Sequence, residues 1–166
     1  QIISDDDKEM FFNFGGHPGF LCPIYDNESF SDYRIEFEKS ETFASPSVKS
    51  DATLDFEEPY QTFKNLNVLQ LDYAYFEIDA IIIPKVNSPY VRLLNKDNKG
   101  IKFSFGDFSS FAIWTHPNKS PFVCLEPWIG YADSYASAGI FTDKPNLIYL
   151  KPKKEFSCSY KIEIIK

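Results

Sequence analysis

Apolar and polar residues alternate along several stretches of the chain. The alternation is clearest in residues 33–38, 101–105 and 161–164, where every second residue is apolar. A period of two predicts β-strands that have one face in a core and the other in water. Residues 80–83 instead form a continuous apolar run, which is typical of a strand buried on both faces. Further strand candidates are residues 10–14, 90–94, 111–115 and 122–125.

Turn-forming residues separate these stretches. Asn95-Lys96-Asp97-Asn98-Lys99-Gly100 predicts a hairpin loop between two strands. The 11 prolines argue against long helices, and no long stretch has a capped helical period. Residues 40–66, rich in Ser, Thr, Glu and Asp, are interpreted as an extended loop or short strands. We therefore predict an all-β chain whose second layer comes either from its own folding as a sandwich or from strands outside this sequence.

Length and charge restrict the function. The 166 residues fit a single domain, and 17 basic against 24 acidic residues give a net charge of −7. This charge argues against nucleic acids and anionic membrane surfaces as partners, because both are bound through Lys and Arg. Neither a signal peptide nor an apolar run of roughly 20 residues is visible. A neutral small molecule is the expected partner.

The cysteines and aromatic residues add to this picture. Cys22, Cys124 and Cys158 are odd in number and widely spaced, so we predict reduced thiols in a cytoplasmic protein and neither a disulfide framework nor a metal site. Aromatic residues make up 17% of the chain. Most of them are expected to pack in the core, and the rest could form the flat walls against which sugar rings bind.

The chain has only two histidines. His17 lies in Gly15-Gly16-His17-Pro18-Gly19-Phe20, where the glycines allow a close backbone approach and Pro18 stiffens the exit. A histidine held rigidly at a strand end is a candidate general acid, and the alternative is a loop histidine bonded to backbone. His116 lies in a polar turn and is interpreted as a surface residue.

Two carboxylates are candidates for chemistry. Glu126 has apolar neighbours on both sides in Phe122-Val123-Cys124-Leu125-Glu126-Pro127-Trp128. Burial of an ionised carboxylate is unfavourable unless it is compensated, so Glu126 is either a tuned catalytic base or an outward-facing residue of an alternating strand. Asp79 begins the apolar run and could accept a hydrogen bond from a ligand hydroxyl or cap its own backbone.

These segments, in this order, resemble the aldose 1-epimerase, or galactose mutarotase-like, family. The resemblance rests on Gly15–Phe20, Asp79-Ala80, Ile113-Trp114-Thr115 and Phe122–Trp128, and it extends to Leu150-Lys151-Pro152. It implies an antiparallel β-sandwich of the supersandwich type, in a domain roughly twice this length. Residues 1–166 would then be the C-terminal portion of one domain, in agreement with a start at Gln1 instead of Met. The chain alone is expected to be inactive without an N-terminal half that supplies further sugar contacts.

The resemblance also implies roles for individual residues. Glu126 would be the catalytic base, His17 the catalytic acid and Asp79 a carboxylate that binds a sugar hydroxyl, while Phe20 and Trp128 would contact the sugar. The implied reaction interconverts the α and β anomers of a free hexose, such as galactose or glucose, by ring opening and reclosure. It requires no metal and no organic cofactor.

Two other functions stay open at this stage. One is a sugar-binding module without catalysis on the same fold. The other is a glycoside hydrolase that uses Glu126 and Asp79, which requires carboxyl groups roughly 5–9.5 Å apart and leaves His17 without a role. The oligomeric state, monomer or homodimer, is also open.

Overall fold

A computed structural model describes residues 1–166, and nearly all of the regular structure is β-strand. The strands are β1 (Ile2–Ile3), β2 (Met10–Phe12), β3 (Phe14–Gly15), β4 (Gly19–Leu21), β5 (Arg34–Ser45), β6 (Ser47–Val48), β7 (Leu54–Asp55), β8 (Gln61–Gln70), β9 (Ile81–Ile83), β10 (Tyr90–Leu94), β11 (Gly100–Ser104), β12 (Ser110–Trp114), β13 (Phe122–Ile129), β14 (Ile148–Leu150), β15 (Glu155–Phe156) and β16 (Lys161–Ile165). Short 3-10 turns form at Phe30–Asp32, Tyr73–Phe76 and Phe141–Asp143. No helix of the chain combines the length and the apolar character needed to cross a membrane.

Two antiparallel sheets form the body of the structure. Sheet I has five strands in the order β16-β11-β10-β5-β8. Sheet II has the order β3-β13-β12-β9, with β4 also paired to β13. Every strand pairing within the two sheets is antiparallel. Three smaller pairs, β1–β15, β2–β14 and β6–β7, lie outside them.

Side chains from both sheets fill one core. Sheet I contributes Ile35, Leu69, Val91, Leu93 and Phe103, and sheet II contributes Ile81, Ile83, Phe111, Ile113, Val123 and Leu125. Phe105, just after β11, stacks on Phe111 of sheet II with ring centroids 4.3 Å apart. The chain therefore forms a β-sandwich by itself, which is the first of the two predicted arrangements.

Strand β9 shows how sheet II is covered on both sides. Ile81 and Ile83 point into the main core, whereas Ala80 and Ile82 join Leu54 and Ala112 in a small cluster on the opposite face. The predicted burial of this apolar run on both faces is confirmed. This opposite face of sheet II is called the outer face below.

The hairpin predicted at residues 95–100 joins β10 to β11 and is confirmed. Asn95 Oδ1 accepts hydrogen bonds from the backbone N–H groups of Asp97 and Lys99, at 3.0 and 2.9 Å. Asn98 has φ of 63°, which asparagine tolerates better than most residues. Gly100 has φ of 157°, and a Cβ there would lie 1.9 Å from the Leu93 carbonyl oxygen. The turn residues therefore set the register of this pair.

The interpretation of residues 40–66 as a loop or short strands is wrong at both ends of the segment. β5 continues to Ser45, and β8 begins at Gln61 and pairs with it. The register of this pair shifts on either side of Glu41, which breaks the period of two. The middle of the segment does form short strands, β6 and β7. The bulges explain why no clear pattern was visible in the sequence.

Glu41 accounts for this irregularity because its carboxylate is buried, with 1% of the residue exposed. Its Oε1 accepts hydrogen bonds from the backbone N–H groups of Asn87 and Ser88, at 3.1 and 2.8 Å, and from the Ser88 hydroxyl at 2.7 Å. A buried carboxylate with this many donors is satisfied, and it fixes the loop before β10 against β5.

Sheet I is uncovered at one edge, along β16. Ile162 and Ile164 pair directly with Phe103 and Ile101, so all four side chains point to the core side of the sheet. Phe103 is fully buried, yet Ile162 is 46% and Ile164 79% exposed. Beside them an open cleft of about 440 Å³ is lined by Ile24, Tyr25, Ile101, Ile164 and Ile165. The apolar core side of this edge strand is therefore only partly covered within the chain.

We predict that Glu41→Ala lowers the free energy of unfolding by about 3 kcal/mol, because it leaves several buried donors without an acceptor. Equilibrium unfolding in urea measures this change. Glu38→Ala, on the exposed side of the same strand, is the matched control and should change stability by less than about 0.5 kcal/mol. Equal effects of the two variants would contradict the assigned role of Glu41.

Candidate active site

Strand β13 carries the candidate carboxylate of Glu126. Successive side chains of a strand point to opposite faces, and this alternation orients Glu126. Val123 and Leu125 point into the main core. Cys124 and Glu126 therefore point to the outer face of sheet II, beside the small cluster that contains Ala112. Glu126 does lie on the alternate face, as one interpretation expected, but only 5% of it is exposed; its role as a catalytic base stays a prediction. A buried carboxylate on this face needs compensation.

The segment that carries His17 is attached to β13 on both sides of Glu126. β3 pairs Gly15 with Trp128, and β4 pairs Gly19 with Cys124. Between them, the Gly16 N–H donates to the Pro127 carbonyl at 2.9 Å, and the Leu125 N–H donates to the Pro18 carbonyl at 3.1 Å. The segment therefore runs along the edge of β13 in one register, with His17 opposite Glu126, and has little freedom.

Gly15 makes this close approach possible. A Cβ at this position would lie 2.2 Å from Cδ1 of Trp128 and 2.9 Å from the Pro127 carbonyl oxygen. No side chain larger than hydrogen fits there unless Trp128 moves. The glycine that the sequence placed before His17 is thus required by the packing of β3 on β13.

The two predicted catalytic residues lie side by side at this point of the sheet. His17 Nδ1 lies 3.1 Å from Glu126 Oε1, which is hydrogen-bond distance. The His17 side chain is 62% exposed and that of Glu126 is 7% exposed. The imidazole also contacts Trp114 edge-on, with ring centroids 5.8 Å apart. A recessed carboxylate thus lies beside an imidazole that a ligand can reach.

Burial raises the pKa of Glu126 to about 7. A hydrogen bond from the Trp128 side chain acts against this shift, and the negative charge of Asp79 adds to it. The carboxyl group therefore exchanges its proton close to neutral pH, which is where a general base works best.

Asp79 and Trp128 lie near the pair. Asp79 is half-buried in the bend before β9, and its Oδ1 accepts a hydrogen bond from the Ala80 N–H at 2.7 Å. That bond is the local cap considered from the sequence, yet the carboxylate is also close enough to raise the pKa of Glu126. Trp128 is two residues after Glu126 and lies on the same face of the strand.

Phe20 is not brought to the site. It pairs directly with Val123, whose side chain is in the main core, so both point to that side of sheet II. Its ring packs against Phe103 of sheet I, with centroids 5.8 Å apart. The expectation that Phe20 contacts a sugar is therefore corrected. Phe20 directly follows Gly19, which faces Cys124 on the outer face, so the side chain of Phe20 points to the core side.

Trp114 and Cys124 reach the site although the sequence reasoning did not select them. They pair directly across β12 and β13. Trp114 lies between His17 and the exposed His116, with ring centroids 5.8 and 6.2 Å away. Cys124 is 4% exposed, and burial together with the charge of Glu126 raises its pKa to about 11. The available signal was its position two residues before Glu126, which places both side chains on one face.

An open cleft of about 380 Å³ lies next to this arrangement, although neither His17 nor Glu126 lines it. It is lined by Asn13, Gly15, Trp128, Gly130, Tyr131 and Lys144, among others. Two of these residues, Gly15 and Trp128, belong to the strands that position the pair. The cleft combines aromatic walls with polar groups, which is the composition of many small-molecule sites.

Comparison with solved structures identifies the fold. The structure of a galactose mutarotase related enzyme from Lactobacillus acidophilus superposes with a TM-score of 0.87 and 28% sequence identity, over 99% of this chain and 55% of that one. This chain has a galactose mutarotase-like fold. Galactose mutarotase-like proteins from Lactobacillus casei and Clostridium acetobutylicum match with TM-scores of 0.78 and 0.62, at 20% and 17% identity, over 98% of this chain and 56% and 51% of theirs. The predicted fold class is confirmed.

Sequence comparison finds two curated relatives. The plasmid and chromosomal forms of protein LacX from Lactococcus lactis subsp. lactis are each 35% identical over 163 residues, which is 97% of this chain and 54% of each relative. The chain thus spans about half the length of the curated relatives that it matches. No protein-family model matches it.

The raised pKa of Glu126 has a consequence for stability. Between the ordinary value of 4.5 and about 7, the folded protein keeps a proton on this carboxyl that the unfolded chain has released. Stability contributed by this group therefore falls as the pH rises through that range. We predict that Glu126→Gln, which cannot ionise, becomes more stable relative to the wild type between pH 5 and pH 8.

Urea unfolding of both proteins at the two pH values measures this difference, in the presence of EDTA to keep stray metal ions off the carboxylate. Glu38→Gln, at an exposed position of β5, is the control and should show no such pH dependence. A stability difference between Glu126→Gln and the wild type that is the same at both pH values would contradict the assignment.

Proposed function

We propose that this chain supplies the acid/base pair of an aldose 1-epimerase, which interconverts the α and β anomers of a free hexose. The observation that carries the proposal is the 3.1 Å contact between His17 Nδ1 and Glu126 Oε1, with the carboxylate recessed and the imidazole accessible. The mutarotase-like fold and the similarity to a galactose mutarotase related enzyme support it. Epimerisation of an anomeric carbon needs one proton acceptor and one proton donor that work together.

The reaction follows from the two groups. Ionised Glu126 accepts the proton of the anomeric hydroxyl while protonated His17 donates a proton to the ring oxygen. The bond between the anomeric carbon and the ring oxygen breaks, and the open chain carries an aldehyde. Rotation about the adjacent carbon–carbon bond presents the other face of the carbonyl. His17 then removes the proton from the attacking hydroxyl, Glu126 returns one to the carbonyl oxygen, and the opposite anomer is released.

The geometry suits this substrate because the two oxygens concerned are bonded to the same carbon. An acid and a base that lie side by side can therefore reach both of them at once. The exposed imidazole can turn away from Glu126 as the sugar enters, while the buried carboxylate keeps its place on β13. The base is thus the fixed group and the acid the adaptable one.

We propose further contacts for the residues around the pair. Asp79 accepts a hydrogen bond from a sugar hydroxyl with the carboxylate oxygen that does not bind Ala80. Trp128 holds Glu126 in place through its side chain and offers an aromatic surface to the ligand. Trp114, beside His17, provides a second flat wall for the apolar face of a pyranose.

We also propose that strands from an N-terminal part of the same protein complete the domain beside β16. The relatives are nearly twice as long as this chain, and Ile162 and Ile164 leave an apolar strand edge without a cover. The proposed location is the cytoplasm, which the free thiols of Cys22, Cys124 and Cys158 support.

The activity is tested by polarimetry. A polypeptide that includes this chain and the N-terminal part is expected to accelerate the mutarotation of α-glucose or α-galactose. Glu126→Gln should lower kcat/KM roughly 10²- to 10⁴-fold, because it removes the proton acceptor without a change of shape. Glu38→Gln is the control and should leave the rate unchanged.

Two results would count against this function. A wild-type polypeptide that accelerates no common aldose, but binds sugars saturably, is the outcome expected of a binding module without catalysis. A release of reducing sugar from glycosides would indicate a hydrolase that uses Glu126 with Asp79. Neither alternative gives the contact between His17 and Glu126 a role.

A separate prediction concerns the 166-residue chain alone. Because its β16 edge is uncovered, we expect it to accelerate mutarotation at least roughly a hundredfold less per mole than the longer polypeptide, in line with loss of sugar contacts and positioning. The two proteins are compared by polarimetry under the same conditions. Equal rates would show that no strands beyond this chain are required.

A further inference from the structure

Three donor atoms of different chemical type lie together on the outer face of sheet II. A ring nitrogen of His17, Sγ of Cys124 and a carboxylate oxygen of Glu126 are all within 4.8 Å of one another. We propose that these three residues form a binding site for one divalent cation of the zinc type. Acid/base chemistry at His17 and Glu126 does not use the sulfur of Cys124, so the proposed epimerase function leaves this group without a role.

The distances suit a cation after a small adjustment. Ligand atoms held at roughly 2.0–2.3 Å around a tetrahedral ion lie about 3.3–3.8 Å from one another. The observed upper limit of 4.8 Å therefore requires the three side chains to close on the ion by about 1–1.5 Å. His17 has the most freedom to move, since its side chain is exposed.

The backbone of the other two ligands is held in place, so only their side chains adjust. Cys124 and Glu126 are alternate residues of β13, and they are fixed by their pairing with Trp114 and Ala112 on β12. On the other side Cys124 faces Gly19, so the neighbouring strand β4 puts no side chain over the sulfur. The Trp128 side chain lies close enough to Glu126 to lower the pKa of its carboxyl, so it would act as an outer partner that orients this ligand.

The ligand types select the class of ion. Thiolate and imidazole prefer zinc, cobalt and cadmium, whereas magnesium and calcium prefer sites made of oxygen alone. One thiolate and one carboxylate would neutralise the double positive charge of the ion. When the ion binds, a sulfur–metal bond forms and the proton of the Cys124 thiol passes to solvent. Three protein ligands leave a fourth position, which opens on the exposed side of His17.

Binding has a consequence for the proposed epimerase. The ion would occupy both the proton acceptor and the proton donor, so it would inhibit mutarotation. This consequence rests on the proposed function, but the binding itself does not. The test below therefore measures binding without any assay of activity.

Cobalt(II) is the probe, because a cobalt–thiolate bond gives a charge-transfer absorption band in the near ultraviolet. The chain is freed of metal with a chelator, reduced, and titrated with cobalt(II) without oxygen. We expect the band to saturate at one equivalent per chain and to disappear when zinc(II) is added. Cys158→Ser, which removes a partly buried thiol away from this cluster, is the matched control and should keep the band.

Two variants decide the outcome. Cys124→Ser should abolish the band, and Glu126→Gln, which keeps the sulfur, should weaken cobalt(II) binding at least roughly tenfold. Urea unfolding verifies that each variant is folded, and if Cys124→Ser is not, Glu126→Gln provides the decision alone. A wild type without a thiolate band, a band that persists in Cys124→Ser, or unchanged affinity in Glu126→Gln overturns the proposal.

Discussion

The candidate site depends on one constraint, the double attachment of the His17 segment to strand β13. β3 pairs with one end of that strand and β4 with the other, and residues 16–18 run between them along the same edge of β13, which puts His17 beside Glu126. Because both flanks are hydrogen-bonded, the position of the histidine backbone is set by the sheet and not by loop flexibility. Gly15 permits the approach, and Pro18 supplies one of the carbonyls that complete it.

This constraint determines the electrostatics of the site. The attached segment puts His17 beside the buried Glu126, whose ionised form is disfavoured by burial, while His17 stays at the surface. A cation or a polar ligand that interacts with the carboxylate would relieve that unfavourable burial. The proposed proton exchange and the proposed cation binding depend on the same local arrangement, so the two would exclude each other at any one moment.

The sequence predicted much of the fold because the relevant signals are local. Period-two alternation, the apolar run at 80–83 and the turn residues of 95–100 each act within a few positions. The extent of β5 and β8 could not be predicted, because Glu41 binds the backbone of a loop more than forty residues away and so interrupts the alternation. The prediction for this segment failed where a long-range contact replaces the local period.

The candidate site also combines features that local sequence signals predict with features that only strand pairing decides. His17, Glu126 and Asp79 were found through unusual neighbours in the sequence, and the structure brings them close together. The prediction for Phe20 was wrong because a shift of one strand position moves a side chain to the other face of the sheet. The pairing register of β4 with β13 decides the face, and it cannot be predicted from the sequence of either strand alone. Trp114 and Cys124 were not predicted as site residues for the same reason. Aromatic residues and cysteines are common in strands, and only the strand register shows that these two lie on the face that carries Glu126.

The candidate site lies on one sheet only, and this has a consequence for labelling the protein. All of the site residues come from sheet II and its flanking segments, while Arg92 and Lys102, which pair on sheet I, point away from the core. A fluorescent dye or a surface anchor attached at Lys102 would be separated from His17 by the whole thickness of the sandwich. Such a label could report on the integrity of the fold, or hold the protein on a sensor chip, and leave the ligand entrance free.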